Sequence, residues 1–141
     1  MKAIYIKRLT KLAKFLQKLP RKKFQFNHIW VVNCQSKGCA VGYCPKVFPR
    51  SWKVCSLPYR TDEGISMFGV QLKNESEIGE GTIQQSLFHA SKFFGLDKGE
   101  TEALFYPDSQ DNFGLENLSG DATPKKVAKG ILSFIKSKKE S

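Results

Sequence analysis

No aspartate or glutamate occurs in the first 61 residues, while the same stretch carries fourteen lysines and arginines. All thirteen carboxylates fall from Asp62 onward, against nine basic side chains. The formal net charge of +10 over 141 residues therefore divides into +14 for residues 1–61 and −4 for residues 62–141. The first part can lend no carboxylate to a metal site or an acid–base pair, and its one-sided charge points to an anionic partner.

Other absences narrow the field. There are only two histidines, His28 and His89, so a thiol or hydroxyl nucleophile has few bases to draw on. No oxyanion-hole motif and no Gly-x-x-x-x-Gly-Lys phosphate loop is present, and the chain is read as a non-enzyme without a cofactor. No apolar run approaches a membrane span, and the opening Met1 to Arg8 is too poor in apolar residues for a secretory core. A cytoplasmic protein is expected, without a membrane partner. Its four cysteines are then reduced thiols rather than a disulfide framework.

What is present suffices for one hydrophobic core. Apolar residues make up 40% of the chain, with eleven Phe, two Trp and four Tyr. The expectation is a single domain over residues 1–141 that folds alone or as a homo-oligomer. Its fold class is α+β, mostly helical, with a small antiparallel sheet or hairpin in the middle.

Leu9, Leu12, Ala13, Leu16 and Leu19 recur at helical spacing with Lys7, Lys11, Lys14 and Lys18 on the other side, and Pro20 closes that helix. Phe24, Phe26 and His28 run extended into Ile29–Val32. Cys39 to Cys44 suggests one or two helical turns stopping at Pro45. Trp52–Leu57 is expected to pair with Met67–Leu72. Thr82 caps a helix with Ile83, Leu87, Ala90 and Phe94 inward, ended by a left-handed Gly95. Asp97 and Glu100 form a capping box for a shorter helix that Pro107 ends, making a helical hairpin. A polar loop from Pro107 to Gly120 leads to a last helix opened by Thr123 and Pro124.

Three constellations could carry chemistry. Cys34, Cys39, Cys44 and Cys55 with His28 invite a zinc reading. Their C-x4-C spacing is not that of tight-turn ligand pairs, and Cys39 and Cys44 would diverge by about 140° on a helix. No metal is expected. Cys39 near a helix start, with His28 or His89 as base, would make a thiol nucleophile. The favoured reading uses the cationic part: Lys37, Arg50, Lys53 and Arg60 on phosphate, with Tyr43, Trp52 and Tyr59 as stacking faces for a base. Backbone N–H groups at Ser36–Gly38 and Gly79–Thr82 could join them. The plainer alternative is a lysine stripe that is only solvated, or is neutralised by the acidic segment Asp62–Asp121.

The run Leu9-x-x-Leu12-Ala13-x-Phe15-Leu16, with Pro20, Phe24 and Trp30, leads into Cys34-Gln-Ser-Lys-Gly-Cys39-Ala40-Val-Gly42-Tyr43. Ala90-x-x-Phe93-Phe94-Gly95-Leu96 and Leu104-Phe105-Tyr106-Pro107 follow. Together they resemble a family of small, largely uncharacterised phage and bacterial proteins with a Cys-Gly-Thr-x-x-Cys-Ala-x-Gly-Trp core and a closing Thr-Pro helix. Gln35-Ser36 and Tyr43 depart from that core. The resemblance implies a phage source, action in the host cytoplasm, and a likeness in kind to counter-defence sponges that hold cyclic oligonucleotide signals without cleaving them. The expected partner is thus an anionic nucleotide, with nucleic acid or an acidic host protein as the alternative and a cysteine-dependent enzyme as the second.

Overall fold

The computed structural model describes residues 1–24, 30–31, 37–60, 66–105 and 123–140. Among them the chain forms five α-helices and six short strands, a mostly helical α+β arrangement. The helices are α1 (Ala3–Lys18), α2 (Cys44–Val47), α3 (Ile83–Phe94), α4 (Lys98–Phe105) and α5 (Pro124–Glu140). The strands are β1 (Trp30–Val31), β2 (Lys37–Gly38), β3 (Trp52–Val54), β4 (Tyr59–Arg60), β5 (Ser66–Met67) and β6 (Val70–Leu72). The runs through Phe26, His28 and Cys34, and the loop from Pro107 to Gly120, lie outside the described residues.

Helix α1 buries Leu9, Leu12, Ala13 and Leu16 completely, as its 3.6-residue period demands. They join a hydrophobic cluster to which all five helices contribute, including Val47, Phe94, Leu104, Ile131 and Phe134. Each large aliphatic chain so buried stabilises the fold by about 1.5–3 kcal/mol relative to exposure. Helix α5 packs against α1, and α3 against α1 and α4.

The helix ends follow their expected chemistry. Thr82 and Gln85 exchange the two hydrogen bonds of a capping box, and Gly95 stands left-handed at φ 67°. Asp97 Oδ1 accepts from the Glu100 N–H at 2.7 Å, while Glu100 Oε1 accepts from the Asp97 N–H at 3.0 Å. Thr123 Oγ1 accepts from the Lys126 N–H, with Pro124 first in α5. Pro45 is a correction. It does not stop a helix but lies in the first turn of α2, behind a 3-10 turn at Val41–Tyr43, where a missing N–H costs nothing.

Strands β3 and β6 pair antiparallel within the segments expected to pair, with Trp52 opposite Leu72 and Val54 opposite Val70, but Met67 is a correction: it belongs to β5, opposite Val31 and Tyr59. The other four strands form a sheet in the order β2-β1-β5-β4. The outer edge of β6 is covered by α3 rather than by another strand. Ser86 Oγ accepts from the Val70 N–H and His89 Nδ1 from the Leu72 N–H, both at 3.0 Å. Two side chains one helical turn apart thereby satisfy alternate donors that burial would otherwise leave unpaired.

Candidate functional site

The line of α3 side chains that covers β6 continues into a cleft. Three residues beyond His89, Lys92 reaches Glu75 at 2.9 Å in the turn that follows β6. Lys92 and Phe93 of α3, Leu72 to Glu75, Arg50 and Ser51 before β3, and Arg8 of α1 enclose about 440 Å³. Four segments distant in sequence thus bring two arginines and two lysines around one carboxylate.

Each cation is held differently. Arg8 Nη1 donates to the Phe93 carbonyl at 2.7 Å, at the negative end of α3, where that carbonyl has no helical donor. Its guanidinium carbon lies 4.1 Å from the Phe93 ring centroid, a cation–π geometry. Phe93 is itself wedged edge-on against Phe48 and Trp52. Arg8 is therefore seated with most of its five donors uncommitted to that carbonyl. Lys73 Nζ donates to the Pro49 carbonyl at 2.6 Å, and the Lys73 N–H to the Ser51 carbonyl, tying the Arg50 turn to the end of β6. Arg50 is exposed at the rim and makes no ion pair among the described residues. The hydrogen bond and charge of Lys92 hold the Glu75 carboxyl below the usual carboxylate range.

Beneath the cleft a buried amide sets the shape of the turn. Gln71 is wholly buried, its Oε1 accepting from the Ile78 N–H at 2.9 Å and its Nε2 donating to the Ser76 carbonyl at 3.0 Å. The segment carrying Lys73, Asn74 and Glu75 is thereby wrapped around one side chain. His89 follows on α3 with Nδ1 as an acceptor, and burial lowers its pKa, which favours the neutral imidazole.

Most residues singled out in the sequence do not meet here. Arg50 lines the cleft. Lys53 is instead paired with Glu77, whose other oxygen accepts from the Ser56 N–H. Tyr43 and Trp52, expected as stacking faces, are each only 1% exposed, which removes them from any ligand surface. The Tyr43 hydroxyl donates to the Lys23 carbonyl and its ring leans on Phe15 at 5.4 Å. The Trp52 Nε1–H is buried without a hydrogen-bond partner among the described residues. Lys37 lies on β2 and Tyr59 with Arg60 on β4, the two outer strands of a four-stranded sheet, about 14 Å apart. Arg60 is exposed, while the side chains of Lys37 and Tyr59 lie outside the described residues.

Sequence reasoning passed over Arg8, Lys73 and Lys92. Only Arg8 left a trace in the sequence: it stands one turn before Leu12, at the border of the apolar face, where a long cation covers apolar surface with its stem.

The cysteines described are core residues. Cys39 and Cys44 are fully enclosed, and burial pushes Cys39 up to about 11 and Cys44 well above the ordinary thiol value. Burial and the nearby Glu77 push Cys55 up to about 11. A helix-start thiolate at Cys39 is therefore not what this environment favours. No group of three metal-ligating side chains occurs among the described residues. No described helix is long and apolar enough to cross a membrane. No protein-family model, curated protein or solved structure matches the chain.

Proposed function

We propose that the protein is a non-catalytic binding protein that holds a phosphate-bearing nucleotide, with Arg8, Arg50, Lys73 and Lys92 meeting the phosphates. The observation that carries this reading is their convergence on a single cleft around one carboxylate. The surplus of positive charge calls for a ligand with more than one negative charge, and the volume lies in the range of small-molecule sites. A cyclic oligonucleotide has that chemistry, and the resemblance to small phage proteins supports a sponge that acts by retention. Since Tyr43 and Trp52 are buried, recognition on this reading rests on phosphate contacts rather than on stacking against those two rings.

Titration calorimetry with cyclic dinucleotides, cyclic trinucleotides and linear mononucleotides tests the reading. A cyclic oligonucleotide is expected to bind and to be recovered intact. Arg50→Ala is expected to weaken binding about tenfold to a hundredfold through loss of a charge-assisted contact. Absence of binding by every nucleotide, or binding indifferent to Arg50, overturns it.

A further inference from the structure

A second cationic feature lies apart from the cleft, along the seam between α1 and α5. Gln17 of α1 and Lys125, Lys129, Leu132, Ser133 and Lys136 of α5 line a groove of about 420 Å³. All six are exposed. The three lysines recur four and seven residues apart, which places them on one face of α5 over about 16 Å. Lys14 and Lys18, within one turn of Gln17 on α1, are exposed too, and among the described residues neither makes an ion pair. Helix α1 contains no acidic residue at all.

We infer that this seam is a docking surface for the backbone of double-stranded nucleic acid, read without regard to sequence. Lys, Gln and Ser side chains are the donors used on phosphate and sugar oxygens, and among the described residues no carboxylate lines the groove to oppose them. A duplex presents about one phosphate per 1.7 Å, so the row of lysines faces roughly nine charges. Among the described residues no aromatic ring lines the groove to give a platform for unstacked bases of a single strand. Leu132, the one apolar residue among its described lining, is far short of the apolar face with which a helix lies in a bilayer surface. The inference is independent of the cleft, since Arg8 and Gln17 are about 13 Å apart along α1.

The test uses the full chain, a mixed-sequence DNA duplex of about 20 base pairs and fluorescence anisotropy over a salt series. With Lys14, Lys18, Lys125, Lys129 and Lys136 engaged, the slope of log K against log salt is expected near −4.5, at about −0.9 per phosphate contact. The variant Lys125→Gln/Lys129→Gln/Lys136→Gln alters exposed positions only. It is expected to fold normally by circular dichroism and to flatten the slope by about 2.7. Nucleotide binding at the cleft should survive that variant, and duplex binding should survive Arg50→Ala, so the two readings fail separately. Absence of duplex binding at low salt, a slope unchanged in the triple variant, or preference for phosphatidylserine vesicles over the duplex overturns the inference.

Discussion

At the scale of single residues, several buried groups make sharp demands. His89 accepts the Leu72 N–H through Nδ1, and burial lowers its pKa in the folded state. The unfolded chain therefore takes up a proton more readily, and the folded state is favoured fully only above the ordinary histidine value of about 6.5. Urea midpoints are expected to fall as pH drops below that value, and His89→Gln, which keeps an acceptor, should lessen the fall. Equal pH dependence in both proteins would assign it to other groups. Gly95 combines φ 67° with the Tyr5 ring directly against its Cα, where any Cβ would overlap the ring. Gly95→Ala is expected to cost at least about 2 kcal/mol in denaturant unfolding, since backbone strain and displacement of Tyr5 add. Cys39 and Cys55, at about 11, are roughly one part in a thousand thiolate near pH 8. Peptide mapping after brief iodoacetamide treatment should find Cys39, Cys44 and Cys55 unlabelled in the folded protein and labelled in urea. Rapid labelling of Cys39 without denaturant would revive a nucleophilic role.

At the scale of elements, helices were readable where local rules act alone. Thr82 with Gln85, Asp97 with Glu100, and Thr123 before Pro124 each satisfy donors within one turn, so their spacing in the chain already determines the geometry. Pairing of β3 with β6 was legible from alternation, although the coverage of β6 by Ser86 and His89 was not. That coverage depends on how a helix docks, which no local spacing encodes. The turn after β6 depends likewise on Gln71, whose amide gathers the Ser76 and Ile78 backbone. Gln71→Met keeps the volume but removes those bonds. It is expected to loosen the segment from Lys73 to Ile78, seen as faster amide exchange there, and to weaken nucleotide binding while α3 stays intact. Unchanged exchange in that segment would show that Gln71 does not template it.

At the scale of the whole molecule, the charge division has a structural outcome. The three ion pairs described between side chains, Lys53–Glu77, Lys92–Glu75 and Lys138–Glu100, leave the lysines along α1 outside them. Like charges so arranged repel, and screening should relieve them. Raising salt from about 10 mM to about 0.15 M is expected to raise the melting temperature, with phosphate more effective than chloride. A falling melting temperature would show that exposed ion pairs outweigh the repulsion. Most helix positions, their caps, the apolar face of α1 and the division of charge were determined by sequence alone, because period, capping and net charge are properties of the chain itself. Which cations share a cleft was decided only by tertiary packing. Arg8, Arg50, Lys73 and Lys92 are brought together when α1, α3 and the β6 turn meet. The same packing drew Tyr43 and Trp52 into the core, because burying an aromatic ring outweighs leaving it exposed for a ligand.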